Sequence, residues 1–154
     1  LWLDPYSENL VARGFEYGEE NEPATLVTAF EAFEHFVNPV DEMEKLLSIS
    51  SNILLTTTLN PHPTPNPSNW WYYGLDHGQH IGFFRVNTLE HLAKEFQLNL
   101  ISDGQSTHFF SKERYSKYVW KSLILFSKIT PYLFSVGLKS KTWNDNLKLK
   151  QQRI

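Results

Sequence analysis

No cysteine occurs among the 154 residues, which excludes disulfides and thiolate metal sites and leaves the redox compartment undefined. Long hydrophobic runs are also lacking. The apolar-rich stretch 118–136 comes nearest, and Lys121, Lys128 and Pro131 interrupt it, so no stable membrane insertion is expected. Basic residues are scarce over residues 1–111, with 4 Lys/Arg against 15 Asp/Glu. That balance argues against a surface that tracks nucleic-acid phosphates. No basic-then-apolar leader opens the chain, so no secretory signal is visible and a cytoplasmic location is expected. The first residue is Leu1 rather than Met, already inside an apolar run, and the expectation is a chain cut from something longer.

What is present is aromatic: 11 Phe, 7 Tyr and 5 Trp, in a chain long enough for one domain with a real core. Charge is divided along the chain. Residues 112–154 hold 10 Lys/Arg against 2 Asp/Glu, so an acidic body over residues 1–111 precedes a basic, aromatic tail. The tail places Lys139, Lys141, Lys148, Lys150 and Arg153 around Trp143 and Leu147. It reads as a solvated terminal helix docked by its aromatics, or as a contact for a protein partner, a membrane or nucleic acid.

Leu1–Asp4 reads as the end of a strand stopped by Pro5, and Phe15-Glu-Tyr17 as a short edge strand within a polar, acidic stretch. Ala24–Phe30 is nearly continuous in apolar residues and predicts a buried strand. Asn38 then caps a helix with Pro39 at its first position and Asp41 and Glu42 in its first turn. Val40, Met43, Leu46 and Leu47 form its buried face, and Asn52–Thr58 is the next strand. Strand, helix and strand with short joints predict a right-handed βαβ unit of a parallel sheet. Four prolines stiffen Leu59–Ser68, and an aromatic cluster, NWWYYGLDHGQH, follows over residues 69–80. Asn87-Thr-Leu-Glu90 predicts a capping-box helix start, and Leu98–Ser102 with Thr107–Ser111 an antiparallel pair turning at Asp103-Gly104.

Chemistry concentrates in ATLVTAFEAFEHFVNP, residues 24–39, where a strand ending at Phe30 runs into Glu31, Glu34 and His35. Open α/β sheets bind ligands at the carboxyl ends of their strands. Two carboxylates beside an imidazole suit a divalent cation or a general base; they equally suit solvated loop acids with His35 capping the next helix. Asp4 ends the first strand, where an acid accepts hydrogen bonds from ribose hydroxyls or simply turns the chain before Pro5. His77 and His80 lack an evident third metal ligand. They fit a loop over the cleft, with Trp70, Trp71, Tyr72 and Tyr73 as an acceptor wall and His80 positioning a hydroxyl, or a satellite aromatic core.

These residues resemble class I S-adenosylmethionine-dependent methyltransferases. LVTAFEAFEHFVNP is similar to the family's fourth-strand region, and Glu34, His35 and Pro39 match its Glu-His-x-x-x-Pro pattern. His80 through Phe84, Thr88-Leu89 and Phe96-Gln-Leu98 resemble its later stretch of His, aromatics, helix and final hairpin. The likeness spans residues 1–111 and is best to small-molecule enzymes linked with sugar or polysaccharide modification. It implies a Rossmann-like α/β methyltransferase sheet, incomplete at its N-terminus, with a final antiparallel hairpin and a C-terminal helical tail.

The resemblance implies S-adenosylmethionine as cofactor, with Asp4, Phe30 and Glu31 at its pocket, and a small-molecule acceptor, a hydroxyl of a sugar or related metabolite. His35 and His80 are the candidate bases, with Glu34 beside them. Glu31, Glu34 and His35 also resemble a Glu-x-x-Glu-His cluster that binds a divalent ion in some quinone-pathway O-methyltransferases, although no metal is expected here. Two departures stand out. The usual Asp opening the fourth strand is replaced around Thr25, and no glycine-rich first-strand loop exists; Gly74, Gly78 and Gly82 sit in the aromatic loop. The chain alone is therefore expected to bind S-adenosylmethionine weakly or not at all. A non-catalytic methyltransferase-like remnant, binding a partner through its basic tail, is the alternative. A glycine-rich loop shortly upstream of Leu1 would favour the enzyme.

Overall fold

The computed structural model describes residues 1–4, 7–10, 13–18, 20–76, 78, 80–127, 129, 131–132, 135 and 142–151. They fall into two compact units, residues 23–124 and residues 1–22 with 125–154. His77, Lys139, Lys141 and Arg153, named above, lie outside the described residues.

The larger unit is a mixed α/β sheet with helices. Its strands are β1 (Val27–Phe30), β2 (Asn52–Thr56), β3 (Asn99–Ser102) and β4 (Thr107–Ser111), in the order β1-β2-β4-β3. β1 and β2 are parallel, with Val27 opposite Ile53 and Phe30 opposite Thr56. β4 runs antiparallel to both β2 and β3. The turn at Asp103-Gly104 is built as its residues predict. Asp103 Oδ1 accepts from the backbone N–H groups of Gln105, Ser106 and Thr107 at 2.8–3.0 Å, and Gly104 takes φ +78°. Partial burial pushes the Asp103 carboxyl upward, but these donors outweigh it and hold it below the usual range.

Two helices follow their sequence signals unequally. In α1 (Pro39–Ile49) the expected cap forms, Asn38 Oδ1 accepting from Val40 N at 3.2 Å, with Asp41 and Glu42 in the first turn. In α2 (Val86–Glu95) the capping box does not form. The Arg85 carbonyl already accepts from Thr88 N and Leu89 N, so the helix starts at Val86 and Asn87 lies inside its first turn. Met43 of α1 and Leu89, Leu92 and Ala93 of α2 pack with Ile53, Leu55 and Phe110 on one sheet face. Each large side chain so buried contributes roughly 1.5–3 kcal/mol. On the opposite face Phe109 stacks on Trp120 of α3 (Lys117–Leu125), beside a largely apolar cavity of about 340 Å³.

The expected buried strand over Ala24–Phe30 is corrected. It begins at Val27 and buries only Ala29, while Leu26 and Phe30 are 44% and 57% exposed. Among the described residues β1 pairs only with β2, so the apolar run forms a sheet edge rather than a central strand. Strand β2 ends at Thr56, because Thr57 N and Leu59 N turn to the carbonyls of Ser106 and Gln105.

In the smaller unit Trp2 N donates to the Phe15 carbonyl and Tyr17 N to the Trp2 carbonyl, a single parallel bridge between Trp2 and Glu16, so the two short strand-like segments read at Leu1–Asp4 and Phe15–Tyr17 meet. The same unit carries helix α4 (Thr142–Gln151), in which Trp143 and Leu147 are exposed. Among the described residues no helix is long and apolar enough to cross a membrane.

Candidate active site

Parallel pairing of β1 and β2 brings their carboxyl ends to one edge of the sheet, where the chain must leave the ladder and polar side chains can gather. At the end of β1, Glu31 adopts φ +48°, a left-handed conformation costly for a residue with a Cβ. Its N–H bonds Thr56 at both the carbonyl, 3.2 Å, and Oγ1, 3.0 Å, while Thr56 Oγ1 donates to Glu31 Oε1 at 2.9 Å. Glu31 thus ties the two strand ends together.

After that turn, residues Phe33–His35 make a single 3₁₀ turn. Phe33 is fully buried against Phe36 and Phe84, at ring distances of 5.2 and 5.7 Å, and so anchors the turn. The next residue, Glu34, is carried inward with it and is 0% exposed. Its carbonyl accepts from Ile81 N at 2.8 Å and Gly82 N at 2.9 Å, which clamps the segment following the aromatic loop onto the turn. Close approach explains Gly82: a Cβ there would stand 3.3 Å from the Phe84 ring.

This clamp places His80 beside His35, with ring centroids 5.0 Å apart and nearly perpendicular. His80 Nδ1 lies 2.6 Å from the Tyr72 carbonyl oxygen. A carbonyl only accepts, so Nδ1 carries a proton and, in the neutral ring, the lone pair sits on Nε2. The Tyr72 ring packs 4.5 Å from the His80 ring, and Tyr72 is itself wholly buried. Its hydroxyl accepts from Thr58 N at 3.0 Å and lies 3.2 Å from Thr57 Oγ1, fastening the aromatic loop to the end of β2.

Burial pushes the Tyr72 hydroxyl up to about 12, and the Glu34 carboxylate adds to the rise. The Glu34 carboxylate is near enough to act on the Tyr72 hydroxyl, though neither of its buried oxygens has a hydrogen-bond partner of normal geometry. One ligand-type atom from each of Glu34, His35 and His80 falls within a cluster no wider than 4.8 Å.

Three of the sequence-predicted residues, Glu34, His35 and His80, are therefore brought together. Phe30 and Glu31 lie next to them in sequence at the end of β1, but Glu31 is engaged with Thr56 and is outside the three-residue cluster. Of the cluster Glu31, Glu34 and His35 read in the sequence, the structure brings Glu34 and His35 together with His80 and leaves Glu31 outside. Asp4 belongs to the smaller unit, where it accepts a hydrogen bond from Ser7 Oγ. The aromatic wall divides: Trp70, Tyr73 and Phe83 pack on one another as a satellite cluster, Trp71 is 78% exposed, and Tyr72 alone reaches His80.

Sequence reasoning missed His108. It is fully buried on β4, its Nε2–H donating to the Thr57 carbonyl at 3.0 Å and its Nδ1 accepting from Ser102 Oγ at 2.8 Å. Burial holds this imidazole below its ordinary value. Its place on an alternating strand, two residues before core Phe110, was the available signal.

The four-stranded mixed α/β sheet with its helices is consistent with a methyltransferase-type domain. The sequence model of a family described as a methyltransferase domain matches residues 2–103, well over half of the chain, and the chain belongs to that family. No curated protein and no solved structure matches it significantly.

Proposed function

We propose that the chain is the carboxyl-terminal part, residues 1–111, of a class I S-adenosylmethionine-dependent methyltransferase domain, followed by a basic helical tail over residues 112–154. The proposed reaction transfers a methyl group to a small-molecule hydroxyl, that of a sugar or related metabolite. A Rossmann-like sheet is supported by the order β1-β2-β4-β3, parallel at one end and closing in an antiparallel hairpin. The open edge of β1, with Leu26 and Phe30 exposed, suits a further strand and its helices.

The observation that carries the reading is the meeting of His35, His80 and Glu34 at the carboxyl ends of β1 and β2. The exposed Phe30 ring and the surface carboxylate of Glu31 at the same strand end fit a nucleoside, packing one side and accepting hydrogen bonds on the other. Asp4 is assigned to the cofactor ribose on the resemblance alone. S-adenosylmethionine, when bound, supplies an electrophilic sulfonium methyl that the acceptor oxygen attacks in line while the S–C bond breaks and its electron pair stays on sulfur.

The residues of this chain handle the proton and the orientation. His80 Nε2 takes the hydroxyl proton, because the Tyr72 carbonyl holds the ring in the tautomer that leaves this lone pair in place. His35, edge-on to His80, is the second base. The unpartnered Glu34 carboxylate offsets the positive charge that develops on the imidazole. Positioning of acceptor and cofactor supplies much of the rest.

The test is methyl transfer from labelled S-adenosylmethionine to a panel of hydroxylated acceptors. His80→Asn and His35→Asn should each lower turnover by about 100-fold or more, the usual scale of general-base catalysis, with cofactor affinity little changed. Unchanged turnover in both removes them from the chemistry. The second reading, a non-catalytic remnant that binds a partner through its basic tail, is favoured by one observation: the 154 residues contain no glycine-rich loop.

A further inference from the structure

We propose that Glu34, His35 and His80 form a binding site for one divalent transition cation of the zinc class. The ligand set is new relative to the acid-rich cluster read in the sequence, since it exchanges the carboxylate of Glu31 for the imidazole of a residue 49 positions further along.

Four observations converge. First, the donor atoms already lie within 4.8 Å of one another. Around a tetrahedral ion with bonds of about 2.0 Å, ligand atoms stand about 3.3 Å apart, so modest side-chain rotations close the set. Second, Glu34 is fully buried and neither carboxylate oxygen has a hydrogen-bond partner of normal geometry, the Tyr72 hydroxyl being the one donor near enough to act on it. Burying a carboxylate with so few donors is unfavourable, and a bound cation would offset that cost.

Third, the surroundings resemble those of a ligating histidine. Metal-bound imidazoles characteristically donate their second N–H to a carbonyl or carboxylate, which fixes the ring and its tautomer. His80 makes such a bond through Nδ1 to the Tyr72 carbonyl at 2.6 Å, and Tyr72 is in turn held by Thr57 and Thr58. Fourth, His35 is exposed to solvent and His80 half-buried, so two of the three ligands are open to an ion from solution.

Chemistry selects the cation. Two imidazoles and one carboxylate match the donor sets of catalytic zinc and of other borderline first-row ions; magnesium and calcium prefer oxygen throughout. Three protein ligands leave a coordination position open to water. An ion held here takes up the imidazole lone pairs, so in the metal-bound state His80 and His35 would serve as ligands and not as the bases of the reading above, and the ion would make a bound hydroxyl more acidic in their place. The site itself does not rest on that reading.

The experiment uses the full chain, freed of metal by a chelator and without S-adenosylmethionine, and Co²⁺ as the probe. One equivalent of Co²⁺ should bind, with visible bands of four- or five-coordinate cobalt, and Zn²⁺ should displace it where Mg²⁺ does not. His80→Asn keeps an N–H donor near the Tyr72 carbonyl while removing Nε2. It should weaken binding by at least the roughly 10–100-fold that even outer-sphere changes cost. Glu34→Gln and His35→Asn should do the same, and far-ultraviolet circular dichroism identifies any variant that fails to fold. The proposal is overturned if no Co²⁺ or Zn²⁺ is retained, if the folded variants bind as the wild type does, or if Mg²⁺ competes equally. Such a failure leaves the methyl-transfer reading standing, because no cofactor or acceptor enters the measurement.

Discussion

Replacing Tyr72 with Phe separates what holds the site together from what acts in it. The substitution deletes one hydroxyl that is wholly buried, accepts from Thr58 N at 3.0 Å and lies 3.2 Å from Thr57 Oγ1. Each lost hydrogen bond is worth about 1 kcal/mol net, and the buried Thr57 hydroxyl loses a partner, so the expected destabilisation near pH 8 is about 1–3 kcal/mol. The difference also depends on pH. Tyr72 titrates near 12 in the folded chain against an ordinary value of 10.0. A raised folded value means that this contribution to stability is present below pH 10 and disappears as pH rises toward 12. At about 1.36 kcal/mol per unit the full effect is on the order of 2–3 kcal/mol, an upper bound given partial screening. Urea unfolding followed by tryptophan fluorescence should therefore show Y72F less stable than wild type at pH 8, with the gap closing between pH 10 and 12. The His80 bond uses the Tyr72 main chain and survives, so turnover should fall less than about tenfold. A stability gap that stays constant to pH 12 would refute the reasoning, as would wild-type stability in Y72F.

Two further outcomes follow from the same geometry. His108→Leu removes the donor to the Thr57 carbonyl and the acceptor of the Ser102 hydroxyl, which keeps only its bond from Gly104 N, and should destabilise the larger unit by about 2–4 kcal/mol at pH 8. Because the folded site depresses the imidazole below 6.5, the wild type's advantage is present above that pH and should shrink as pH falls through it; a pH-independent gap contradicts this. The 154-residue chain should bind S-adenosylmethionine weakly in calorimetry, since no glycine-rich loop lets backbone approach the cofactor; submicromolar affinity would refute that.

Local signals in the sequence identified the elements that depend on local chemistry. The Asn38-Pro39 helix start and the Asp103-Gly104 hairpin form with the atoms that their residues imply, and the strand read over Asn52–Thr58 forms over Asn52–Thr56. The strand end ahead of Glu34 and His35 was legible for the same reason. Features set by distant neighbours were not. Whether Leu26 and Phe30 are buried depends on what stands beside β1, and an apolar run does not distinguish edge from centre. Spacing placed Glu31 with Glu34, but its left-handed backbone turns it to Thr56, 25 residues away. The burial of Glu34 follows from the anchoring of Phe33, and the meeting of His35 with His80 follows from backbone bonds to Glu34 O. Neither the clamp nor the Tyr72 brace leaves a periodicity to read.

The central claim is that His80 and His35 serve a methyl transfer at the ends of β1 and β2. It is tested most directly by single-turnover transfer from labelled S-adenosylmethionine, supplied at millimolar concentration to offset weak binding, to hydroxylated acceptors. The expected result is product with the wild type and at least about a 100-fold lower rate with H80N and H35N at similar cofactor affinity. No transfer by the wild type, or equal rates in all three proteins, would contradict it.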